Sequence, residues 1–521
     1  MPYVPPKHLT QTWEVTKPGA TGTRGMVVSQ SRDAALAGVA VLDAGGNAVD
    51  AAVATALALA AVEPWNSGLG GTGFAMVHRA GQSKAEVVDF GPRAPAGLHA
   101  GLFKLTGKVA SDLFAWPEVE NDANVHGPLS FAVPSAPAGY AHMHQQWGVL
   151  PLRDVIAPAQ ALARRGLSAD WFTTLKIANS ASILRRYAES ARIYLPDGLP
   201  PVAPYQGRPG YLQLGALADT LDRLAQAGLR DFYEGDVAAS IARDSAALGG
   251  VLAAADLRSC EATVRGCTEV PFAQGTLQMP GGLTASPTLA RVLELMPPFP
   301  GRPDAAWFVA LAQALRAAYA ERLSGLGDAE PRAAESCTTH LTVCDAAGTM
   351  VSMTTTLLSS MGSRVVLPGS GVLMNNGVMW FDPRPGQANS VGPRKRPLTN
   401  MLPVILRGSD GAPVLAAGAS GGRRILAAVM QAVSFVAGGM TPAEAAHHPR
   451  IDVSDAETVH ADQRLPPDVL AALHAQGPTE EVEHGVVPVN FACPNLILNQ
   501  GGTRTGISDV MSPWSAAVAQ A

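Results

Sequence analysis

The chain has little of what would mark a disulfide scaffold, a membrane protein, a nucleic-acid binder or a disordered polypeptide. Five cysteines in 521 residues make an odd, sparse set. Cys260 and Cys267 lie seven positions apart with no second pair or histidines to complete a zinc site, so neither a disulfide framework nor a metal centre is expected. Charged residues are only 16% of the chain against 47% hydrophobic, which excludes the disordered class and leaves a well-buried globular protein. The net charge of −5 comes with no basic block or stripe, so no nucleic-acid partner is expected. Long apolar runs are missing too. The most apolar stretch, AAVATALALAAV (51–62), is too short to span a bilayer and reads as a buried helix, so no membrane association is expected. The first 25 residues carry prolines and charges but no apolar signal core, making a cytoplasmic protein the expectation where Met1 is the native start. No fixed-period repeat and no linker between independent domains is apparent.

What is present alternates between helical and strand signals. RDAALAGVAVLDAG stops at Gly45-Gly46, and Asn47 is placed to cap AVDAAVATALALAAVEP. GFAMVH and AEVVDF follow as a strand pair. The preceding GLGGTG is not a phosphate loop, since no Lys-Ser/Thr follows and it opens a strand rather than a helix. Residues 128–330 read as mainly helical scaffold, with glycine stops after PLRDVIAPAQALARRG, GALADTLDRLAQAG and DVAASIARDSAALGG. Beyond them, GVLMNNGVMWF (371–381), RKRPLTNMLPVIL (394–406) and PVLAAGAS (413–420) make the C-terminal part strand-rich, with helices after the strands. Thr441-Pro442-Ala443-Glu444 is a capping box that opens one of them.

The chemistry concentrates at Cys337-Thr338-Thr339-His340. LTVCD (341–345), a short turn ending at Gly348 and TMVSMTTTL (349–357) form a predicted β-hairpin rich in β-branched residues. Residues 327–337, polar and containing Pro331, predict an exposed loop leading into it. A hydroxyl residue thus stands where a loop enters a strand. Threonine is a weak nucleophile that needs an adjacent base. Were the backbone cut before Thr338, the freed α-amino group, titrating near ~8, would be that base. The plain alternative is the start of an ordinary strand.

Two other features are chemically suggestive. Arg93 follows a strand end among Gly91, Pro92 and Pro95, where a rigid turn could aim a guanidinium at a carboxylate, or simply present a surface arginine. Gly421 and Gly422 stand at a strand-to-helix turn, where two N–H groups could converge on an oxyanion, or make only a tight turn.

Taken together and in order, AGGNAVDAAVATALALAAVEP, SGLGGTGF, FAVPSAPAGY, DFYEGDVAASIA, TTHLTVCDAAGTMVSMTTTL, GVLMNNG, KRPLTNM and GASGGRRI resemble the γ-glutamyltranspeptidase family across almost the whole chain. The resemblance implies an α/β (α+β) fold, a four-layer αββα sandwich of the N-terminal-nucleophile hydrolase type. It implies a precursor that cuts itself between Cys337 and Thr338. The products would be a large chain, 1–337, and a small chain, 338–521, that stay associated as one structural domain. Thr338 would attack the amide carbonyl of a small-molecule substrate, and water or an amine would accept the acyl group. Thr356 matches the threonine that supports the nucleophile, Gly421 and Gly422 the oxyanion pair, and Thr399 and Asn400 the paired residues beside a substrate carboxylate. No metal or organic cofactor is implied.

The departures bear on substrate. In members that grip glutamate, an arginine lies two residues after the strand-end aspartate. Here that position is Gly91 in Asp89-Phe90-Gly91-Pro92-Arg93, and the arginine is displaced to 93. The positions that hold the α-amino group of glutamate fall on Leu358 and Trp380, with Asp382 as a nearby substitute. An ammonium facing leucine and tryptophan would lose charged hydrogen bonds at a cost of several kcal/mol, against about 0.5–2 kcal/mol from a cation–π contact. The expectation is therefore a self-cleaving threonine amidohydrolase or acyltransferase for a carboxylate-bearing amide, anchored by Arg93. A true γ-glutamyltransferase or glutathione hydrolase is the alternative, and a non-cleaving binding subunit a third.

Overall fold

The computed structural model describes residues 15–110, 116–324, 336–454 and 457–521. Two seven-stranded antiparallel sheets form its centre. The first runs, edge to edge, through Ala516–Ala519, Met26–Ser29, Ser336–Cys344, Met350–Ser359, Thr72–His78, Glu86–Phe90 and Thr263–Gly266. The second runs through Ala20–Gly22, Thr503–Ser508, Cys493–Gln500, Pro413–Ser420, Val404–Arg407, Gly275–Met279 and Thr268–Phe272. Both sheets draw strands from both sides of position 338.

Alternation along the strands makes the layers. In the central hairpin Leu341, Val343, Val351 and Met353 point outward into a core shared with Arg32–Asp43 and Ala48–Val62. The second sheet buries its outer face under Ile425–Ala437, Ser286–Leu295 and Ala305–Ser324 through Leu415, Ala417, Val433, Leu311 and their neighbours. Between the sheets, Met26, Val28, Met76, Ile405, Ala416 and Ile497 form a smaller apolar cluster. The result is the expected helix–sheet–sheet–helix sandwich.

Local signals explain most of the elements. Asn47 Oδ1 accepts from the N–H groups of Val49 and Asp50 at 2.9 and 3.1 Å, and the Asp50 carboxylate accepts in return from Asn47 N. Thr441 and Glu444 make the same reciprocal cap. Three expectations need correction. The span 128–330, read as mainly helical, also supplies the edge strands Thr263–Gly266 and Thr268–Phe272, where exposure and Pro271 weaken the alternating pattern, and Gly275–Met279 one strand in from the edge. Residues 371–381 are not a strand. Asn375 and Asn376 turn their side chains onto backbone groups of Gly70, Ala132 and Val125, which draws the chain into a loop and the short turn Gly377–Trp380. In 394–406, strand structure begins only at Val404, after Pro397 and Pro403. The expected loop at 327–337 lies outside the described residues as far as 335, as does the side chain of Cys337.

Candidate active site

Thr338 sits two residues into Ser336–Cys344, paired with Thr356 on the neighbouring strand. Directly opposed residues of an antiparallel pair share a face, and here the two hydroxyl oxygens are 3.1 Å apart. Thr356 Oγ1 also accepts from Leu358 N at 2.8 Å, which fixes that hydroxyl beneath its neighbour. The ladder is irregular at this point. Pairing moves from Cys337–Leu358 to Thr338–Thr356, so Leu357 is the extra residue of a bulge, and Leu358 has a φ of +86°. Bulges and left-handed non-glycine residues distort the backbone locally. The register shift lies between Cys337 and Thr338, opposite the bulged residues.

Thr338 is 5% exposed and borders a cavity of about 60 Å³ shared with Gly421, Ser420, Glu63, Lys176 and Phe491. Gly421 has a φ of +138°, and a Cβ there would stand 2.7 Å from Ala492 Cα, so glycine is required. Gly422, φ +60°, opens the turn Gly422–Arg424 that leads into Ile425–Ala437. The sandwich thereby brings the end of a second-sheet strand and the start of a long helix over a first-sheet hydroxyl.

Glu63 was not singled out by the sequence. Its Oε2 accepts from Thr339 Oγ1 at 2.7 Å and its Oε1 from Asn66 Nδ2 at 2.7 Å. Burial pushes its carboxyl up to about 7, with those two hydrogen bonds pulling the other way. A carboxylate at the end of an otherwise apolar helix was the available signal. His340 is fully buried and burial pushes its ring down to about 3, which leaves it neutral between Thr354 and Ser352. Gly418 makes room for it, since a Cβ there would lie 2.2 Å from the ring. Its ring nitrogens bond within the first sheet while its ring packs against Gly418 of the second.

The other expected site residues are spread more widely. Thr399 Oγ1 donates to the Leu283 carbonyl at 3.0 Å, and Asn400 Oδ1 accepts from Arg322 at 3.0 Å. Arg93 is exposed; its carbonyl accepts from Val133 N at 2.9 Å, and its charge is felt at the buried Cys260 thiol. Leu358 and Trp380 pack with Phe74, Trp116, Met379 and Met401 in one apolar cluster. Asp382 is buried and held by Arg384 through Nε at 3.1 Å and Nη2 at 2.7 Å. Among the described residues no group of three or more His, Cys, Asp or Glu is gathered as a metal site.

Comparisons with known proteins identify the family and the fold. The family model described as Gamma-glutamyltranspeptidase matches residues 34–337 and 329–518. The Acylase ACY 1 proenzyme of Pseudomonas sp. (strain V22) is 30% identical over 94% of this chain and 92% of its own length. The Glutathione hydrolase proenzyme of Bacillus subtilis (strain 168) is 28% identical over 97% and 92%. Among solved structures, the cephalosporin acylase from Bacillus halodurans superposes with a TM-score of 0.82 at 22% identity, covering 99% of both chains, which establishes the fold. The chain belongs to the γ-glutamyltranspeptidase family and is an amide hydrolase or acyltransferase of it.

Proposed function

We propose that the chain is a precursor that cleaves its own Cys337–Thr338 bond and then works as an N-terminal-threonine amidohydrolase or acyltransferase. The observation that carries this is the pair of hydroxyls, Thr338 and Thr356, 3.1 Å apart at a ladder bulge and facing the Gly421 turn. Thr338 Oγ1 attacks the Cys337 carbonyl carbon, a C–O bond replaces the C–N bond, and the hydroxyl proton passes to the nitrogen, which becomes the free α-amino group of Thr338. Water then hydrolyses the ester and frees Cys337 as a carboxylate. In the mature enzyme the Thr338 α-amino group takes the hydroxyl proton as the same oxygen attacks a substrate amide. In this reading the N–H groups of Gly421 and Gly422 receive the oxyanion, and Thr356, 3.1 Å from the attacking hydroxyl, holds it. The leaving amine departs with that proton, and water or a second amine takes the acyl group from Thr338. The proenzyme names of the relatives support two associated chains, 1–337 and 338–521.

The acyl group is read as one without an α-amino substituent. Leu358 and Trp380 lie in an apolar cluster, and both oxygens of Asp382 are taken by Arg384. A buried ammonium would have no charged acceptor there, a loss of several kcal/mol. An acylase among the relatives favours this reading, and the glutathione hydrolases keep a γ-glutamyl substrate as the alternative.

The intact mass under denaturing conditions tests the first part. Two chains summing to the precursor plus one water, the smaller beginning at Thr338, is the expected result, and a stable uncut chain overturns it. Turnover of a γ-glutamyl anilide against the same anilide lacking the α-amino group tests the second. A strong preference for the γ-glutamyl compound would reverse the substrate reading.

A further inference from the structure

The cross-strand register puts four positions in one row on one face of the first sheet. Thr338 pairs with Thr356 and Thr356 with Thr72. The Gly73–Phe90 pair continues in register to place Gly91 beside Thr72, on the same face. The nucleophile stands at one end of this row and Gly91 at the other, three strand spacings or about 14 Å away.

Position 91 has no side chain of its own, yet its space is filled by a guanidinium. A Cβ on Gly91 would stand 2.5 Å from Nη2 of Arg396 and 2.6 Å from the Phe74 ring. Arg396 comes from a different part of the chain, the segment RKRPLTN at 394–400. That segment is laid along 91–94 by the hydrogen bond from Ala94 N to the Lys395 carbonyl at 2.8 Å. Asp89, 7% exposed, holds the guanidinium by accepting from Nη2 at 2.5 Å and Nη1 at 3.2 Å. Asp89 also accepts from Arg265 Nε at 3.5 Å and from Gly91 N at 3.0 Å. The Arg396 side chain remains 28% exposed, and its bonds to Asp89 use two of the five N–H groups a guanidinium carries. The apolar cluster of Phe74, Leu358, Met379, Trp380 and Met401 borders the same region, Phe74 being shared by the cluster and the Gly91 contact.

We propose that Arg396, held on Asp89 over Gly91, is the residue that recognises the acyl group, and that it selects amides of ω-carboxy acids whose chain is otherwise apolar and carries no amino group. This rests on Thr338 being the nucleophile. The guanidinium offers fixed donors to a carboxylate, and the neighbouring cluster offers methylene contacts but no acceptor for an ammonium. Arg93, the arginine nearest in sequence, is exposed and its charge is felt at Cys260, a thiol of the helix-side core. The same guanidinium accounts for glycine at 91: any side chain there would collide with Arg396 and Phe74.

The test is a panel of ω-carboxyacyl p-nitroanilides of four to ten carbons and their methyl esters, which share shape but not charge. The span brackets the separation along the row. Wild-type enzyme should prefer acid to ester by ten-fold or more in kcat/KM for its favoured chain. Arg396→Gln should collapse that ratio towards one, mainly through KM, while still cleaving the ester. Arg93→Gln should leave the ratio unchanged. Arg396→Gln could disturb Asp89, so a second variant moves the charge instead. Gly91→Arg combined with Arg396→Gly should restore a preference for acids. An acid preference absent from wild type, or surviving Arg396→Gln, or lost in Arg93→Gln, overturns the assignment. Self-cleavage with no turnover of any panel member overturns the substrate class while leaving the nucleophile in place. A chain that neither cuts itself nor turns over any amide removes the functional reading on which the assignment rests.

Discussion

The reacting end of the site and its recognising end differ in how they are built. Around Thr338 polar groups converge: Thr338, Glu63, Lys176, Ser420 and Gly421 border a cavity of about 60 Å³ walled in part by Phe172 and Phe491, with the Thr356 hydroxyl 3.1 Å from that of Thr338. Towards Gly91 the surroundings become apolar, with Leu358, Trp380, Phe74 and Met401 packed together and the Arg396 guanidinium tied to Asp89. In sequence the first end resembles the family at Thr338, Thr356, Gly421 and Gly422, and the second departs from that resemblance at Gly91, Leu358 and Trp380. Bond cleavage at an amide needs the same nucleophile and the same donors whatever the acyl group, whereas recognition needs only that the pocket match one substrate.

That division predicts which substitutions act on every substrate and which redistribute them. Thr338→Ala should have the largest effect, abolishing self-cleavage and all turnover because one oxygen makes both attacks. Intact mass and anilide release check it together, and an active alanine variant would remove the mechanism. Gly421→Ala comes next. A methyl group meeting Ala492 Cα at 2.7 Å, at a φ of +138°, must displace the turn proposed to carry the oxyanion donors. Loss of kcat by about 10²–10³ is expected, equal for acid and ester substrates. An effect confined to one substrate class would place Gly421 in recognition instead.

A smaller and selective effect is expected where the recognising end is made polar. Leu358→Asn together with Trp380→Asp puts an amide and a carboxylate where the apolar cluster now lies. The ratio of γ-glutamyl anilide to its des-amino counterpart should rise about ten-fold, the factor that ~1.4 kcal/mol represents. Thermal stability should fall, because a packed tryptophan is lost and a charge is buried. An unchanged ratio with intact self-cleavage would mean that these positions do not face the substrate.

Much of this was legible in the sequence where local chemistry decides the outcome. Asn47 and Thr441 were readable as caps because a cap needs only residues within one turn. The hairpin at 341–357 was readable because β-branched residues flank a glycine turn. What the sequence hid depended on long-range register. Nothing in RKRPLTN says that Arg396 reaches the space above Gly91, 305 positions away, because the sandwich alone brings those segments together. Asp382 looked free to accept an ammonium until its carboxylate was found bound to Arg384. The edge strands at 263–272 were hidden for a related reason, since a half-exposed strand with a proline lacks the burial that produces alternation.

Glu63 provides the smallest effect and the finest measure of how closed the reacting end is. Its carboxyl is 2% exposed and burial raises it from 4.5 to about 7. Below pH ~4.5 the group is protonated in both the folded and unfolded chains and adds no pH dependence. Between ~4.5 and ~7 the unfolded chain releases its proton first, so folded stability falls as pH rises, and above ~7 the loss is complete. The full span is at most about 3 kcal/mol. Glu63→Gln keeps a carbonyl oxygen for Thr339 and removes the titration. Urea midpoints of the Thr338→Ala precursor, with and without Glu63→Gln, should therefore converge at pH 4.5 and separate towards pH 7.5, with the glutamine form the more stable. Parallel curves across that window would show that water reaches Glu63, and that the cavity beside Thr338 is open in the uncut chain.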